Sequence, residues 1–525
     1  MIFKLFEKKN GNWKDDTLSG LTVALALVPE AIAFSFIAGV DPIIGLWSAV
    51  FLGLVTSGFG GRPGMISGAT GAIAVVVAKA VDIGNQRGAE LGIDDLGLQY
   101  MFATVMIAGL IQGVVGALKL GRFIRLVPHP VMMGFVNGLA ILILLAQFEV
   151  FQSPDGHWLP GNQLWVMGGL ALATMAIIEF FPRLTKAVPS ILVAILGIGL
   201  LSYFGVVDTK TVSDVLLEGT GSAELKGSFP PLVWPGDIVW NLETTLLIGG
   251  IAVTVAMVGL IESLMTLQLI DDMTDTRGQG NRECFAQGGA NVLSGLFGGM
   301  GGCAMIGQSL INIKSGGRGR TSGIVAALAL TFFIMVGGPV IGEIPMAALA
   351  GVMFMVVIGT FEWASFQTFG KVPKIDVLVI IVVTLVTVLL HNLALAVLVG
   401  VIMSALSFAW ESAQHVRMNP HDEPDGTRIY RLQGVLYFGS VREFSERMSP
   451  ATDPDNVIID FKEARVADYS SLEALNAITE RYRNAGKTLH LRHLSPECRQ
   501  MIRAAGNLVD IEVAEDDPHY HVVNM

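Results

Sequence analysis

Two acidic residues lie inside apolar stretches of this 525-residue chain: Glu30, directly after Pro29 in LVPEAIAFSF, and Glu262 in GLIESLMTLQ. A carboxylate at the centre of a bilayer costs about 2.5–3.5 kcal/mol on insertion scales, so each marks either a functional position or a local repair of the backbone. Thr266 follows Glu262 by four residues. On a helix that spacing puts carboxylate and hydroxyl on one face, where their oxygens suit a hard cation such as sodium. A carboxylate in a dry pocket can alternatively carry a proton, because desolvation raises its pKa.

Two glycine-rich stretches offer the opposite preference: GFGGRPGMISGATGAIAVV from Gly58 and GLFGGMGGCAMIGQSLINI from Gly295. Helices beginning near Ser67 to Thr70 and near Ala304 to Gln308 would present free N–H groups and positive dipole ends to one volume, which favours an anion. Gly68, Ala69, Gly71, Ala304 and Gly307 leave room for a ligand to approach the backbone of the 304–309 stretch, Ile306 included. Ser67, Thr70, Gln308 and Ser309 add neutral donors, unless their side chains bond back within their own helices.

These residues need elements to hold them, and composition says which kind. Hydrophobic residues make up 52% of the chain and charged residues 15%, well below the soluble-domain norm of roughly 25% charged. An ordinary cytosolic enzyme is excluded. Of 79 charged residues, 31 lie within the last 114, the pattern of a membrane domain followed by a soluble one. A net charge of −11 without a basic tract leaves no footprint for nucleic acid. Cys284, Cys303 and Cys498 stand far apart without accompanying histidines, which suggests neither a disulfide framework nor a zinc site; each reads as a small buried residue. DDMTDTRGQGNRE, from Asp271, lacks the glycine and terminal glutamate of a calcium loop.

Fourteen apolar runs follow one another near 18–38, 43–60, 68–82, 99–118, 129–150, 164–181, 187–205, 244–269, 284–300, 303–313, 321–340, 346–361, 375–390 and 392–410. With the N-terminus inside, thirteen loop Lys and Arg residues fall on the inner face, and only Lys79, Arg87, Lys210 and Lys226 on the outer. This division obeys the positive-inside rule and places both termini in the cytoplasm. The same rule accounts for Lys314, Arg318 and Arg320 without a phosphate site. The third and tenth runs are short, glycine-flanked and at matching places in two sets of seven, the signature of inverted repeats with a binding site between half-helices.

The expected organisation is a cytoplasmic tail over 1–15, a transport domain over 16–411, a linker over 412–426 containing Pro420, Pro424 and Gly426, and a small α/β domain over 427–525. In that domain RIYRLQGVLYFGSV, NVIIDFKE and TLHLRHL read as strands. SSLEALNAITERYRNAG, with Leu472, Leu475, Ile478 and Tyr482 at helical spacing, and PECRQMIRAAGNL read as helices. Asp468 and Ser470, in DYSSLEAL, suit the N-cap of the first helix.

Taken together, LVPEAIAFSFIAGVDPIIGLWSAVFLGLVTSGFGGRPGMISGATG, IESLMTLQLIDDMTDTRGQGNRE, GGMGGCAMIGQSLINIKSGGR and ADYSSLEAL resemble the sulfate permease (SulP) family of anion transporters over nearly the whole chain. The resemblance implies a uracil-permease-like fold of fourteen spans as seven-plus-seven inverted repeats, divided into core and gate domains, with a cytoplasmic STAS domain and frequent dimerisation. It implies an integral protein of a bacterial inner membrane, possessing no enzymatic chemistry, that carries a small inorganic anion. Carried onto this chain, it puts Thr70, Glu262, Thr266 and the 304–309 backbone in the core-domain site, with sodium as the possible coupling ion at Glu262, Thr266 and Thr70. Many relatives have arginine where this chain has Gln308; cyanobacterial sodium-dependent bicarbonate carriers of the family also lack it and have an acid matching Glu262. Asp468 and Ser470 match the Asp and phosphorylated Ser of bacterial anti-sigma-factor antagonists, which makes them candidates for regulation by a cytoplasmic partner. The expectation is a sodium- or proton-coupled symporter of bicarbonate or sulfate. An uncoupled exchanger or channel of the same fold, and more distantly a membrane-anchored STAS signalling protein, are the rivals.

Overall fold

The computed structural model describes residues 13–122, 127–152, 157–185, 190–204, 209–220, 228–390, 393–414 and 416–505. Most of the expected cytoplasmic tail, Lys226 and the last twenty residues of the α/β domain lie outside these. The chain divides into two compact units, residues 1–401 and 402–525.

Each of the fourteen apolar runs is a helix: α1 (Trp13–Ile37), α2 (Pro42–Phe59), α3 (Gly71–Leu91), α4 (Leu96–Ala117), α5 (His129–Gln147), α6 (Gly161–Leu184), α7 (Ser190–Tyr203), α8 (Leu242–Thr274), α9 (Gly280–Leu296), α10 (Ile306–Lys314), α11 (Arg320–Gly342), α12 (Met346–Thr360), α13 (Lys374–Leu390) and α14 (Leu393–Gln414). Two-residue strands precede the third and tenth: β1 (Ser67–Gly68) and β2 (Cys303–Ala304). Helix packing respects the exchange of halves. α1 lies on α11 as α8 lies on α4, α2 on α11 as α9 on α4, and α5 on α13 as α12 on α6. The result is a core of α1–α4 with α8–α11 and a gate of α5–α7 with α12 and α13, onto which α14 packs through Gly400 against Val383 and Val131.

The third span departs from its expected length. α3 does not stop with its apolar run but continues through the polar stretch DIGNQRGAEL, from Asp82 to Leu91, and ends at a left-handed cap on Gly92. Its extension is held from outside itself: Arg87 donates to Thr244 at 2.8 Å and pairs with Glu243 at the start of α8. Of the two expected short spans, only α10, with nine residues, is a half-helix.

One of the cations expected on the inner face serves a helix end. Arg320 donates to the carbonyls of Ser57, Gly58 and Gly60, the orphan acceptors at the end of α2. Asp16 in α1 accepts from the amides of Arg318 and Gly319 and so holds the turn that leads into α11. Asp271, in the stretch that resembles a calcium loop, instead pairs with Arg62 at 3.2 Å and accepts from the Gly278 amide.

The second unit holds a four-stranded mixed sheet in the order β3 (Arg417–Asp422), β4 (Arg428–Leu436), β5 (Asn456–Val466) and β6 (Thr488–Arg492). β3 is antiparallel to β4, and the remaining pairs are parallel. α15 (Val441–Arg447), α16 (Tyr469–Asn484) and α17 (Pro496–Ala505) complete it, around Phe444, Phe461, Leu475 and Tyr482. Residues 412–426 are therefore not a free linker. They contain the end of α14 and all of β3, whose Pro420 fits because β3 is an edge strand.

The cap of α16 is Asp468, which accepts from the Ser471 amide at 2.9 Å and the Ser471 hydroxyl at 2.6 Å, while its other oxygen accepts from the Phe438 amide at 2.7 Å. Ser470 is the second residue of the helix and does not cap it. Burial by itself raises the Asp468 carboxyl, yet the bonds from Ser471 and Phe438 outweigh it and hold the group below the usual aspartate range. A depressed folded-state pKa stabilises above the unfolded value and is lost as pH falls through the folded one. Asp468→Ala is expected to cost about 1 kcal/mol and to speed amide exchange in the first turn of α16, with Ser470→Ala staying within about 0.5 kcal/mol. Hydrogen exchange on the purified full chain at pH 7 measures both, and the difference between Asp468→Ala and wild type should shrink as the pH is lowered below about 4.

Candidate functional site

β1 and β2 pair antiparallel, with Ser67 opposite Ala304 and Gly68 opposite Cys303. This pairing brings the starts of α3 and α10 to the same region. Their N-caps, Thr70 and Met305, make no side-chain capping bond. The first amides used inside each helix are those of Ala74, donating to Thr70, and Ser309, donating to Met305. The amides of Gly71, Ala72 and Ile73, and of Ile306, Gly307 and Gln308, thus remain without intrahelical acceptors.

Those two helix starts line a cavity of about 680 Å³ between core and gate. From the core it takes Glu30 and Phe34 of α1, Thr70, Gly71 and Ala72, Glu262 and Met265 of α8, and Met305 to Gln308. From the gate it takes apolar residues of α5, including Phe135 and Leu139, and the end of α12. It extends to His129, Asp272 and Glu362, at the start of α5, the end of α8 and just past α12. In a fourteen-helix chain these ends share the face on which α1 begins. Pro29 withholds the amide that would bond to the Leu25 carbonyl one turn earlier, immediately before Glu30 enters the cavity wall.

Of the residues expected in the site, Glu30, Thr70, Glu262, Ile306, Gly307 and Gln308 line this cavity. Gln308 is 1% exposed, and its amide approaches Glu30 without closing a hydrogen bond of accepted geometry. The other four hold the site from behind. Ser67 accepts from Gln287 at 2.8 Å; the Ser309 hydroxyl accepts from the Ile66 amide at 3.0 Å; the Ala304 amide donates to Ser263 at 3.1 Å. Thr266 is fully buried, and its hydroxyl donates to the Glu262 carbonyl at 2.8 Å rather than facing the cavity. Glu262 and Thr266 share a helical face, but only the carboxylate reaches the ligand space.

Sequence reasoning misses the brace on α9. Glu283, Gln287 and Asn291, at i, i+4 spacing and all buried, run along the face turned to the crossing strands. Glu283 accepts from the Gly61 amide at 2.7 Å, Gln287 reaches Ser67, and Asn291 both accepts from the Gly302 amide at 2.9 Å and donates to its carbonyl at 3.0 Å. A stripe of polar residues at four-residue spacing in a membrane span is the signal that could have found it. Cys303, which the sequence marks only as a small buried residue, has a thiol that donates to Glu262 Oε2 at 3.0 Å and lies 3.1 Å from the Thr70 hydroxyl.

Close approach of the two strands depends on glycine at 302. A Cβ there would lie 2.0 Å from the Gly68 carbonyl oxygen, a backbone atom without freedom to move aside. Gly302→Ala is expected to part the strands and misplace both helix starts, lowering the thermal transition of detergent-purified protein by at least the equivalent of about 1–3 kcal/mol. Differential scanning fluorimetry checks this, with Gly307→Ala, where nothing lies within 4 Å of the added carbon, as the silent control.

Residues 13–383 match the model of the sulfate permease family and residues 420–517 that of the STAS domain. YbaR of Bacillus subtilis (strain 168) is 40% identical over 501 residues, covering 95% of this chain and 98% of YbaR. The bicarbonate transporter BicA of Picosynechococcus sp. is 31% identical over 503 residues, covering 89% and 87%. Among solved structures, the murine Slc26a9 anion transporter in its inward-facing state shares the fold with a TM-score of 0.78 at 18% identity, covering 96% of this chain and 90% of that one.

Proposed function

The chain belongs to the sulfate permease family, and from that premise we propose that it is a secondary active transporter of a small inorganic anion, coupled to a co-bound cation. The observation that carries the reading is the charge inventory of the cavity. It offers two sets of free helix-terminal amides to an anion, yet among the described residues lining it there are four carboxylates, Glu30, Glu262, Asp272 and Glu362, and no Lys or Arg. A monovalent anion about 4 Å from an ionised Glu262 meets a repulsion of about 4 kcal/mol at an effective dielectric of 20. A sodium ion or proton on Glu262 removes that repulsion and turns the pair into a mutually dependent load.

The neutral Gln308 adds no fixed positive charge, so the anion relies on amide dipoles and on the co-bound cation. One cation compensates one charge, which favours bicarbonate over divalent sulfate and agrees with the likeness to BicA. The transport step in this reading is movement of the core, which holds both helix starts and Glu262, against the apolar gate surface of α5 and α12. The cavity's extension to His129, Asp272 and Glu362 corresponds to an inward-facing state, with the termini in the cytoplasm of a bacterial inner membrane and two protomers assembling as a homodimer. The STAS domain carries regulation by a cytoplasmic partner.

Proteoliposomes loaded by gradient test the reading. Labelled bicarbonate, with labelled sulfate in parallel, should accumulate above its equilibrium level when sodium or protons are supplied outside, and equilibrium filling independent of either cation would identify an uncoupled exchanger or channel. Glu262→Gln should reduce gradient-driven accumulation at least a hundredfold while the protein elutes as wild type from size exclusion. Gln308→Arg supplies a permanent cation. Its expected effect is a cation dependence weakened at least fivefold and a shift in preference toward sulfate, both read from initial uptake rates.

A further inference from the structure

The thiol of Cys303 stands between the two halves of this site. Cys303 is fully buried in β2, opposite Gly68 in β1. Its Sγ lies 3.0 Å from Glu262 Oε2 and 3.1 Å from Thr70 Oγ1. The directions of these bonds are set by chemistry. A thiol has one proton, and an ionised carboxylate only accepts, so the S–H donates to Glu262. The sulfur is then left as an acceptor, and the Thr70 hydroxyl must be the donor to it. Thr70 in turn is the N-cap of α3, and its hydroxyl is available for this bond because it makes no capping bond of its own. A single chain of hydrogen bonds therefore runs from the helix start that offers amides to an anion, through the sulfur, to the carboxylate. Both end groups line the cavity, while the sulfur does not.

We propose that Cys303 is a positioning residue that couples anion and cation binding, by linking Thr70 on the anion side to Glu262 on the cation side. The inference rests on the coupled-transport reading. When a cation or proton occupies Glu262, the carboxylate accepts less strongly from the thiol, the S–H and the Thr70 hydroxyl reorient, and the N-cap of α3 turns toward the anion. When the cavity is empty, the chain closes on itself and holds the carboxylate. Serine preserves the donor and acceptor with shorter bonds; alanine and valine remove both. Valine also fills the space and suits a strand.

The experiment measures linkage rather than rate. In proteoliposomes of the full chain, the apparent affinity for labelled bicarbonate, and in parallel labelled sulfate, is determined with and without saturating sodium, and at pH 6 and pH 8 for the proton. Measured as equilibrium binding of the labelled anion, their ratio is the coupling factor, a difference of binding free energies and not of turnover rates. Wild type should show a factor of at least ten with one of the two cations, Cys303→Ser at least half of it, and Cys303→Ala and Cys303→Val a factor within twofold of one. Thr70→Val leaves β2 intact and should lose the factor to the same extent. Cys303→Ala or Cys303→Val protein that folds, by its thermal transition, and keeps the wild-type factor overturns the proposal. So does Thr70→Val keeping it, which decides the matter even if neither nonpolar Cys303 variant folds. A wild-type factor of one for both cations would instead overturn the coupled-transport reading itself, so the two failures are distinct.

Discussion

A backbone that leaves the helical conformation in the middle of a membrane has no water to satisfy its N–H and C=O groups, and each unsatisfied group costs several kcal/mol. The crossing of β1 and β2 answers that constraint, and the rest of the site depends on it. The strands satisfy each other through the Ser67–Ala304 and Gly68–Cys303 pairs. Side chains complete the edges: Asn291 doubles as a strand against Gly302, Ser263 serves Ala304, and Ser309 serves Ile66. The Met305 amide continues the ladder by donating to the Ile66 carbonyl at 2.9 Å. These bonds satisfy the neighbouring groups, while the amides at the two helix starts, which have no intrahelical acceptors, line the cavity.

The same crossing explains why buried polar residues concentrate in the core and not in the gate. α9 carries Glu283, Gln287, Asn291 and Ser294, all buried, and is too polar to cross a bilayer by itself. It is tolerated because α2, α4 and α8 surround it and because its polar face is spent on the irregular backbone. The bridges among the described gate residues, Gln152 to Trp158 and Thr211 to Pro345, lie outside the cavity lining. Its wall toward the middle of the cavity is built from the apolar side chains of Phe135, Leu139 and Ile143 of α5 and Val356 of α12, with the polar His129 and Glu362 at the end. The polar groups of the core are thus spent on its own irregular backbone, and the gate presents mainly apolar side chains to the cavity.

The α/β unit follows a different physics, that of a small soluble domain with its own core. Its buried polar cluster is centred on Asp453, which accepts from Tyr430 at 2.9 Å and from Arg428 at 3.0 Å and is also bonded by Tyr482. Burial followed by the bonds to Asp453 pushes the Tyr430 hydroxyl up to about 12, so it stays a donor throughout the physiological range. The arrangement ties β4, the loop before β5 and α16 together from the inside.

Much of this is legible from residue order. The fourteen helices follow from runs of apolar residues long enough to span or to be buried, and the two interruptions follow from Gly-rich stretches at matching positions, because hydropathy and the loss of helix propensity at glycine are local properties. Glu30, Glu262 and Gln308, which line the cavity, are recognisable as candidates for the same reason: a polar group inside an apolar run is visible without knowing its neighbours. Tertiary structure alone decides what each polar group does there. Thr266 has the spacing of a ligand but bonds its own helix; Ser67 and Ser309 have the chemistry of ligands but brace the strands; Cys303, which has neither signal, joins Thr70 to Glu262. The extent of α3, the inclusion of β3 in the sheet and the capping of α16 by Asp468 rather than Ser470 are likewise settled by partners distant in sequence or by backbone geometry. Hydrogen bonds have a reach of about 3 Å and a direction, and neither is encoded in spacing along the chain until the two halves are brought face to face.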